Sequence, residues 1–287
     1  MKTLLEMKKN GLSDYSIYFT SKALRFLAKN CNLNDPESVK AFIGSLNVSN
    51  GYKRNLCIAY NKYVKCNGLS WNMPLYKVSN RLPKIPSTEK VNTLISNAKG
   101  SLHIRLMISV ETGLRPIEVM NLRVRDVDLQ NSVLYPSSAK YGSARAFKIS
   151  QRLTDLLRIY IDKHNLKLND RLFKGSANDY GKHFRVFRNR LAVRLNDSTL
   201  KSIRLYDLRH YYATMLYYKT RDILFVKQQL GHKKIETTLR YTQLVNFNSD
   251  EYVCVIARTV DEAQKLIENG FEYVTTFNDV MIFRKRK

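Results

Sequence analysis

Two prolines three residues apart, Pro83 and Pro86 in "SNRLPKIPSTEKV", forbid any helix or strand from running unbroken through this part of the chain. Each lacks a backbone N–H, and each pushes the residue before it out of helical geometry. Ser87 and Thr88 follow at once, with side-chain oxygens suited to capping a new helix. The stretch therefore reads as a linker, with a domain boundary near residue 83. A chain of 287 residues is long enough for one large or two ordinary domains, and 44% hydrophobic residues can build a core.

Upstream of the break, "SDYSIYFTSKALRFLAKN", "DPESVKAFIGSL" and "NGYKRNLCIAYNKYVKCN" predict three helices between residues 13 and 66. Ile17, Leu24 and Leu27 fall near helical spacing, Ser13 or Asp14 caps the first helix, and Asp35 caps the second with Pro36 in its first turn. Downstream, "SLHIRLMISVETG" reads as an apolar helix stopped by Gly113, and Pro116 opens another, which leaves Arg115 at the turn between them. "DVDLQNSVLYPSSAKYGSARAFKIS" alternates and is broken by Pro, Ser and Gly. It predicts a small hairpin or three-stranded sheet with its tip near residues 140–145.

In "YDLRHYYATMLYY", Leu208, Tyr211, Tyr212, Met215 and Leu216 repeat at helical spacing and are expected to form a buried stripe, with Arg209 pointing away from its start. A further helix begins at Asp222 and ends at Gly231, after which Thr237 or Thr238 is expected to cap the segment carrying Tyr241. The tail reads strand, helix, strand, strand, with Gly270 ending the helix and Asn278-Asp279 forming a turn. The fold class is thus mainly α with small β-sheets: a helical module at 1–83, a mixed α/β body at 84–245 and a small βαββ extension at 246–287.

Charge narrows the partner. Lys and Arg number 49 against 24 Asp and Glu, and a net charge of +25 points to a polyanion, with nucleic acid first. Residues 1–90 carry 15 basic and 5 acidic residues (+10), residues 91–246 carry 28 and 12 (+16), and residues 247–287 carry 6 and 7 (−1). The first two segments are expected to grip the polyanion and the tail to contact protein. A membrane is the rival polyanion, but no apolar run approaches the ~18 residues of a spanning helix and the first residues lack a signal peptide's apolar segment. The expected setting is cytoplasmic and nucleoid-associated, with no membrane partner. The four cysteines form no close pair, and the five histidines do not cluster with them, so no metal site or disulfide is expected.

"TGLRPIEV", Lys140 in the hairpin, "YDLRH" and "LGHKKIETTLRY" together resemble the ordered active-site motifs of the tyrosine recombinase (phage-type integrase) family, over roughly residues 10–245. The near-neutral tail makes the chain most similar to archaeal integrases. The family fingerprint is Arg, Lys, His-x-x-Arg, His or Trp, then Tyr. The positions that match are Arg115, Lys140, Tyr206 with Arg209, His232 and Tyr241.

The resemblance implies a site-specific recombinase that cuts and rejoins double-stranded DNA through a 3′-phosphotyrosyl intermediate, with four protomers on two sites and neither metal nor other cofactor. Tyr241 would be the nucleophile, leaving a 5′-hydroxyl. Arg115 and Arg209 would meet the charge that builds on the non-bridging oxygens, Lys140 would protonate the departing oxygen, and His232 would bind or position a non-bridging oxygen. Arg145 and Lys148 compete with Lys140 as bases of the same hairpin, and Glu118 would be a buried brace to an arginine.

Tyr206 departs from the family's usual histidine. A phenol of pKa about 10 is a poor base at neutral pH, so Tyr206 is expected to donate a hydrogen bond to phosphate or to orient Arg209 or Tyr241. His210, one residue past Arg209, is expected on a different side of the helix from Tyr206 and so does not replace the missing histidine. Two other readings belong beside this one: a type IB topoisomerase, and a DNA-binding regulator that has lost catalysis.

Overall fold

A computed structural model describes residues 2–78, 82–137, 145–244 and 252–286. The chain divides into two compact units, Met1–Arg81 and Leu82–Lys287.

The first unit is helical: α1 (Lys2–Lys9), α2 (Asp14–Ala28), α3 (Pro36–Ser45) and α4 (Asn50–Asn67). Ser13 caps α2 through the Ser16 N–H, and Asp35 caps α3 through the Glu37 and Ser38 N–H groups, with Pro36 at the first helical position. The core joins Leu24 and Leu27 of α2, Val39 and Ile43 of α3, and Leu56, Tyr60 and Val64 of α4. The sequence reading omitted α1, whose eight residues contribute only Thr3 and Met7 to the interior.

The second unit is built round α6 (Gly100–Thr112), which buries residues on every side, among them Leu102, Ile104, Leu106, Met107 and Ile108. A helix apolar all round belongs inside a domain. Packed about it are α5 (Thr88–Asn97), α7 (Pro116–Asn121), α8 (Gln151–Lys163), α9 (Ala177–Arg194) and α10 (Asp207–Thr220). Neither α8 nor α9 was predicted, although Ser150 and Ser176 cap them through the N–H groups of Leu153 and Asp179.

The hairpin region forms three very short antiparallel strands in the order β1-β2-β3: β1 (Val127–Asp128), β2 (Val133–Leu134) and β3 (Phe147–Lys148). Leu134 and Phe147 pair in register and both enter the core. The expected tip, with Lys140, lies outside the described residues.

Helices α11 (Ile223–Leu230) and α12 (Glu236–Leu239) then enclose a second core with α10, made of Ala213, Val226, Leu230 and Tyr241. The extension is a sheet ordered β4-β6-β5, from β4 (Tyr252–Ala257), β5 (Glu272–Phe277) and β6 (Val280–Arg286), with α13 (Val260–Glu268) between β4 and β5. Asn278 and Asp279 both take positive φ in the turn joining β5 to β6, as the paired turn residues foretold. Among the described residues no helix is long and apolar enough to cross a membrane.

Two local expectations need correction. On α10 the buried face runs through Leu208, Arg209, Ala213 and Thr214, while Tyr211, Tyr212, Met215 and Leu216 are only half-buried. Arg209 lies inside, because carbonyl acceptors from two other elements reach it. Helix α12 starts at Ile235 without a side-chain cap. Thr238 sits within the helix and contacts His232 instead.

Candidate active site

Chain turns rather than helix interiors carry most of the site. Helix α6 ends at Gly113 with φ +61°, which places its carbonyl inward. A side chain there would strain the backbone, and its Cβ would meet a Tyr212 ring carbon at 2.3 Å. Two residues on, Arg115 is the N-cap of α7, and its backbone N–H donates to Glu118 Oε2 at 2.8 Å. The Arg115 guanidinium turns back to Glu118 Oε1 at 2.9 Å.

Glu118 is 2% exposed and gathers three guanidiniums among the described residues. Besides Arg115, Arg145 donates to its Oε1 at 2.7 Å, and Arg209 lies 3.9 Å from its Oε2. Burial pulls the Glu118 carboxyl up, but the Arg115 backbone N–H and the charges of Arg145 and Arg115 outweigh it and hold the group below its ordinary value. Glu118 is thus the buried brace expected of it.

The sequence places Arg145 at the hairpin tip as a competitor of Lys140. It is buried, bonded to Glu118, and packed so closely on Gly231 that a Cβ there would lie 3.1 Å from its guanidinium. No local signal marks it, because Gly231 is accounted for as the left-handed cap that ends α11.

Arg209, 1% exposed, lies at the centre. Its Nη1 donates to Gly113 O at 2.7 Å, and its Nη2 to Leu230 O at 2.6 Å and to His232 Nε2 at 3.2 Å. Because arginine only donates, His232 Nε2 must accept, and the ring proton sits on Nδ1, which donates to Thr238 Oγ1 at 3.0 Å. Burial first, then the charges of Arg209 and Arg115, push the His232 imidazolium down to about 3, so the ring is neutral. Both ring nitrogens are occupied, and His232 acts on a phosphate oxygen only by giving up one of these bonds.

Burial also lowers Arg209 to about 10, which leaves it charged at neutral pH. The Nε atoms of Arg209 and Arg145 have no hydrogen-bond partner among the described residues. Among the described residues three guanidiniums thus face the Glu118 carboxylate, which makes this corner of the protein strongly positive.

Tyr241 follows α12, is 2% exposed and packs on Ala213, Val226 and Leu230. Burial raises its phenol to about 12, against the opposing charge of Arg209. Its hydroxyl meets His210 Nδ1 at 3.0 Å. Tyr206, 43% exposed, stacks edge-on against the His210 ring with centroids 5.3 Å apart. His210 is therefore on the same side of α10 as Tyr206, contrary to the sequence expectation. Four helical residues turn the chain by about 400°, only about 40° from a full circle. The structure thus brings together Arg115, Tyr206, Arg209, His232 and Tyr241, adds Glu118, Arg145 and His210, and leaves Lys140 outside the described residues.

This arrangement has relatives. Residues 86–246 match the family model described as the phage integrase family, and that is more than half of the chain. The chain belongs to that family. It is 30% identical over 195 residues to tyrosine recombinase XerA of Saccharolobus solfataricus, covering 67% of this chain and 63% of that protein. It is 26% identical over 278 residues to tyrosine recombinase XerA of Thermococcus kodakarensis, covering 93% and 94%. The fold is that of the Tn1549 transposon integrase solved with transposon right end DNA: TM-score 0.66 at 15% identity, over 94% of this chain and 99% of that one.

Proposed function

We propose that the chain is a site-specific DNA recombinase that cuts and rejoins duplex DNA through a phosphotyrosyl link at Tyr241. The observation that carries this reading is a buried phenol, Tyr241, in the field of Arg209 and Arg115, whose guanidiniums are gathered with that of Arg145 on one carboxylate. A phosphodiester is an anion that fits this field. Attack by the phenol keeps the bond energy in a new phosphodiester, so rejoining requires neither nucleotide nor fresh chemistry.

Arg209 and Arg115 stabilise the charge that grows on the non-bridging oxygens, and Arg145 and Glu118 hold the pair in place. Lys140, five residues before Arg145 in the chain, protonates the departing 5′-oxygen. Tyr206 lines the approach to Tyr241. The basic helical module at 1–83 grips the duplex together with the body at 84–245, and four protomers act on two sites. The extension at 246–287 serves protein contacts. At 2% exposure Tyr241 is sheltered, and engaging DNA uncovers it while its hydroxyl keeps the contact with His210 Nδ1.

A duplex carrying the cognate site and a nick one to three nucleotides from the cleavage position tests the reading, because the short fragment diffuses away and strands the intermediate. A covalent protein–DNA adduct is expected in EDTA without nucleotide. Failure to form one, or an adduct only with a divalent ion, contradicts the proposal.

A further inference from the structure

The histidine that the family motif would place at Tyr206 is absent, yet the nucleophile does not lack a basic partner. His210 sits one helical turn further along α10, and its Nδ1 is 3.0 Å from the Tyr241 hydroxyl. The two rings are tilted with centroids 5.9 Å apart, so the contact is through the ring edge and hydroxyl rather than by stacking. Tyr206 fixes the imidazole from the other side by its edge-on contact.

We infer that His210 is the general base of strand cleavage, with Nδ1 taking the Tyr241 proton as the phenol attacks phosphorus. The inference rests on Tyr241 being the nucleophile. In the forward step the proton moves from Tyr241 Oη to His210 Nδ1, the Oη–P bond forms and the P–O5′ bond breaks. The leaving oxygen takes its proton from the acid assigned to Lys140. On rejoining, the 5′-hydroxyl returns its proton by that path, and the imidazolium gives its own back to the departing phenolate.

The surroundings fit a group that starts neutral and becomes charged only in the step. Burial lowers the His210 imidazolium to about 4, helped by the charges of Arg240, Arg209 and Arg204 and opposed by Asp207. Among the described residues, those four and the phenols of Tyr206 and Tyr241 are the titratable and charged groups facing it. At neutral pH the ring is neutral, and in the tautomer protonated on Nε2 its Nδ1 lone pair accepts from a phenol that burial keeps protonated. A weak base suffices when transfer accompanies bond formation, because the phenol becomes strongly acidic as its oxygen joins phosphorus. A bound phosphate brings negative charge near the imidazole and stabilises the proton it receives.

The expected result for His210→Ala is a loss of cleavage on the order of 10²-fold or more, with DNA binding unchanged, a modest fall in Tm from the unpaired Tyr241 hydroxyl, and partial rescue by added imidazole. His210→Asn separates proton transfer from positioning, since its amide oxygen stands roughly where Nδ1 stands and accepts the same hydrogen bond but takes no proton. It is expected to be as slow as His210→Ala.

A substrate with sulfur in place of the bridging 5′-oxygen needs no leaving-group acid, so the His210→Ala defect is expected to persist on it. Wild-type rates for His210→Ala, recovery of activity in His210→Asn, or restoration by the sulfur substrate would each overturn the base. If the unmodified protein forms an adduct at a residue other than Tyr241, the functional reading falls and the base with it.

Discussion

Replacing Arg209 by alanine is expected to slow strand cleavage on the order of 10³-fold, the usual scale for removing a main donor to transition-state charge. The protein should also unfold at a lower temperature, because one guanidinium ties together three elements of the site. It bonds Gly113 O at the end of α6, Leu230 O at the end of α11, and His232. Alanine leaves two buried carbonyls unpaired, each costing about 1–3 kcal/mol. Lysine keeps the charge but offers a single ammonium, which cannot serve both carbonyls and a phosphate, so Arg209→Lys is expected to recover little activity. Single-turnover cleavage with thermal unfolding on the same samples checks both effects. A stable Arg209→Ala protein with wild-type cleavage would contradict them.

Glu118 is the second test, because it touches no substrate in this scheme. Glu118→Gln removes the charge that neutralises Arg115 and Arg145 inside the protein. Breaking a buried ionic network from one side costs about 3–5 kcal/mol, a fall in Tm on the order of 10 °C at ~2–4 °C per kcal/mol. Cleavage should fall as well, since both arginines lose their anchor.

The pH dependence has a definite sign. The folded carboxyl lies below its unfolded value of about 4.3, so the unfolded chain binds the extra proton as pH falls. The stability that Glu118 contributes is therefore complete above that value and is lost as pH falls through the folded one. Unfolding measured from pH 7 down to pH 3 should show the unmodified protein and Glu118→Gln converging at the acid end. A constant gap would contradict the assignment.

Chain punctuation made much of this legible in advance. Gly113 and Pro116 bracket Arg115, Asp222 and Gly231 bracket α11, and Asn278-Asp279 makes the last turn, because caps and positive φ are local matters written in one or two residues. What could not be read locally was burial. Arg145 looks like one more base in a basic hairpin until Glu118, 27 residues away, draws it inside. Arg209 looks like the outer face of an apolar stripe until carbonyls 96 and 21 residues distant accept its hydrogen bonds. Thr238 has the chemistry of a cap but bonds His232. His210 lies four residues after Tyr206, about 40° from it round the helix, so its place on that side was within reach of simple helical geometry.

Tyr241 is the nucleophile of strand cleavage in this account. Digesting the trapped adduct and sequencing the DNA-bearing peptide by mass spectrometry tests that role most directly. The expected result is a nucleotide 3′-phosphate carried on Tyr241, with Tyr241→Phe still binding the duplex but forming no adduct. A phosphate on any other residue, or an adduct formed by Tyr241→Phe, would contradict it.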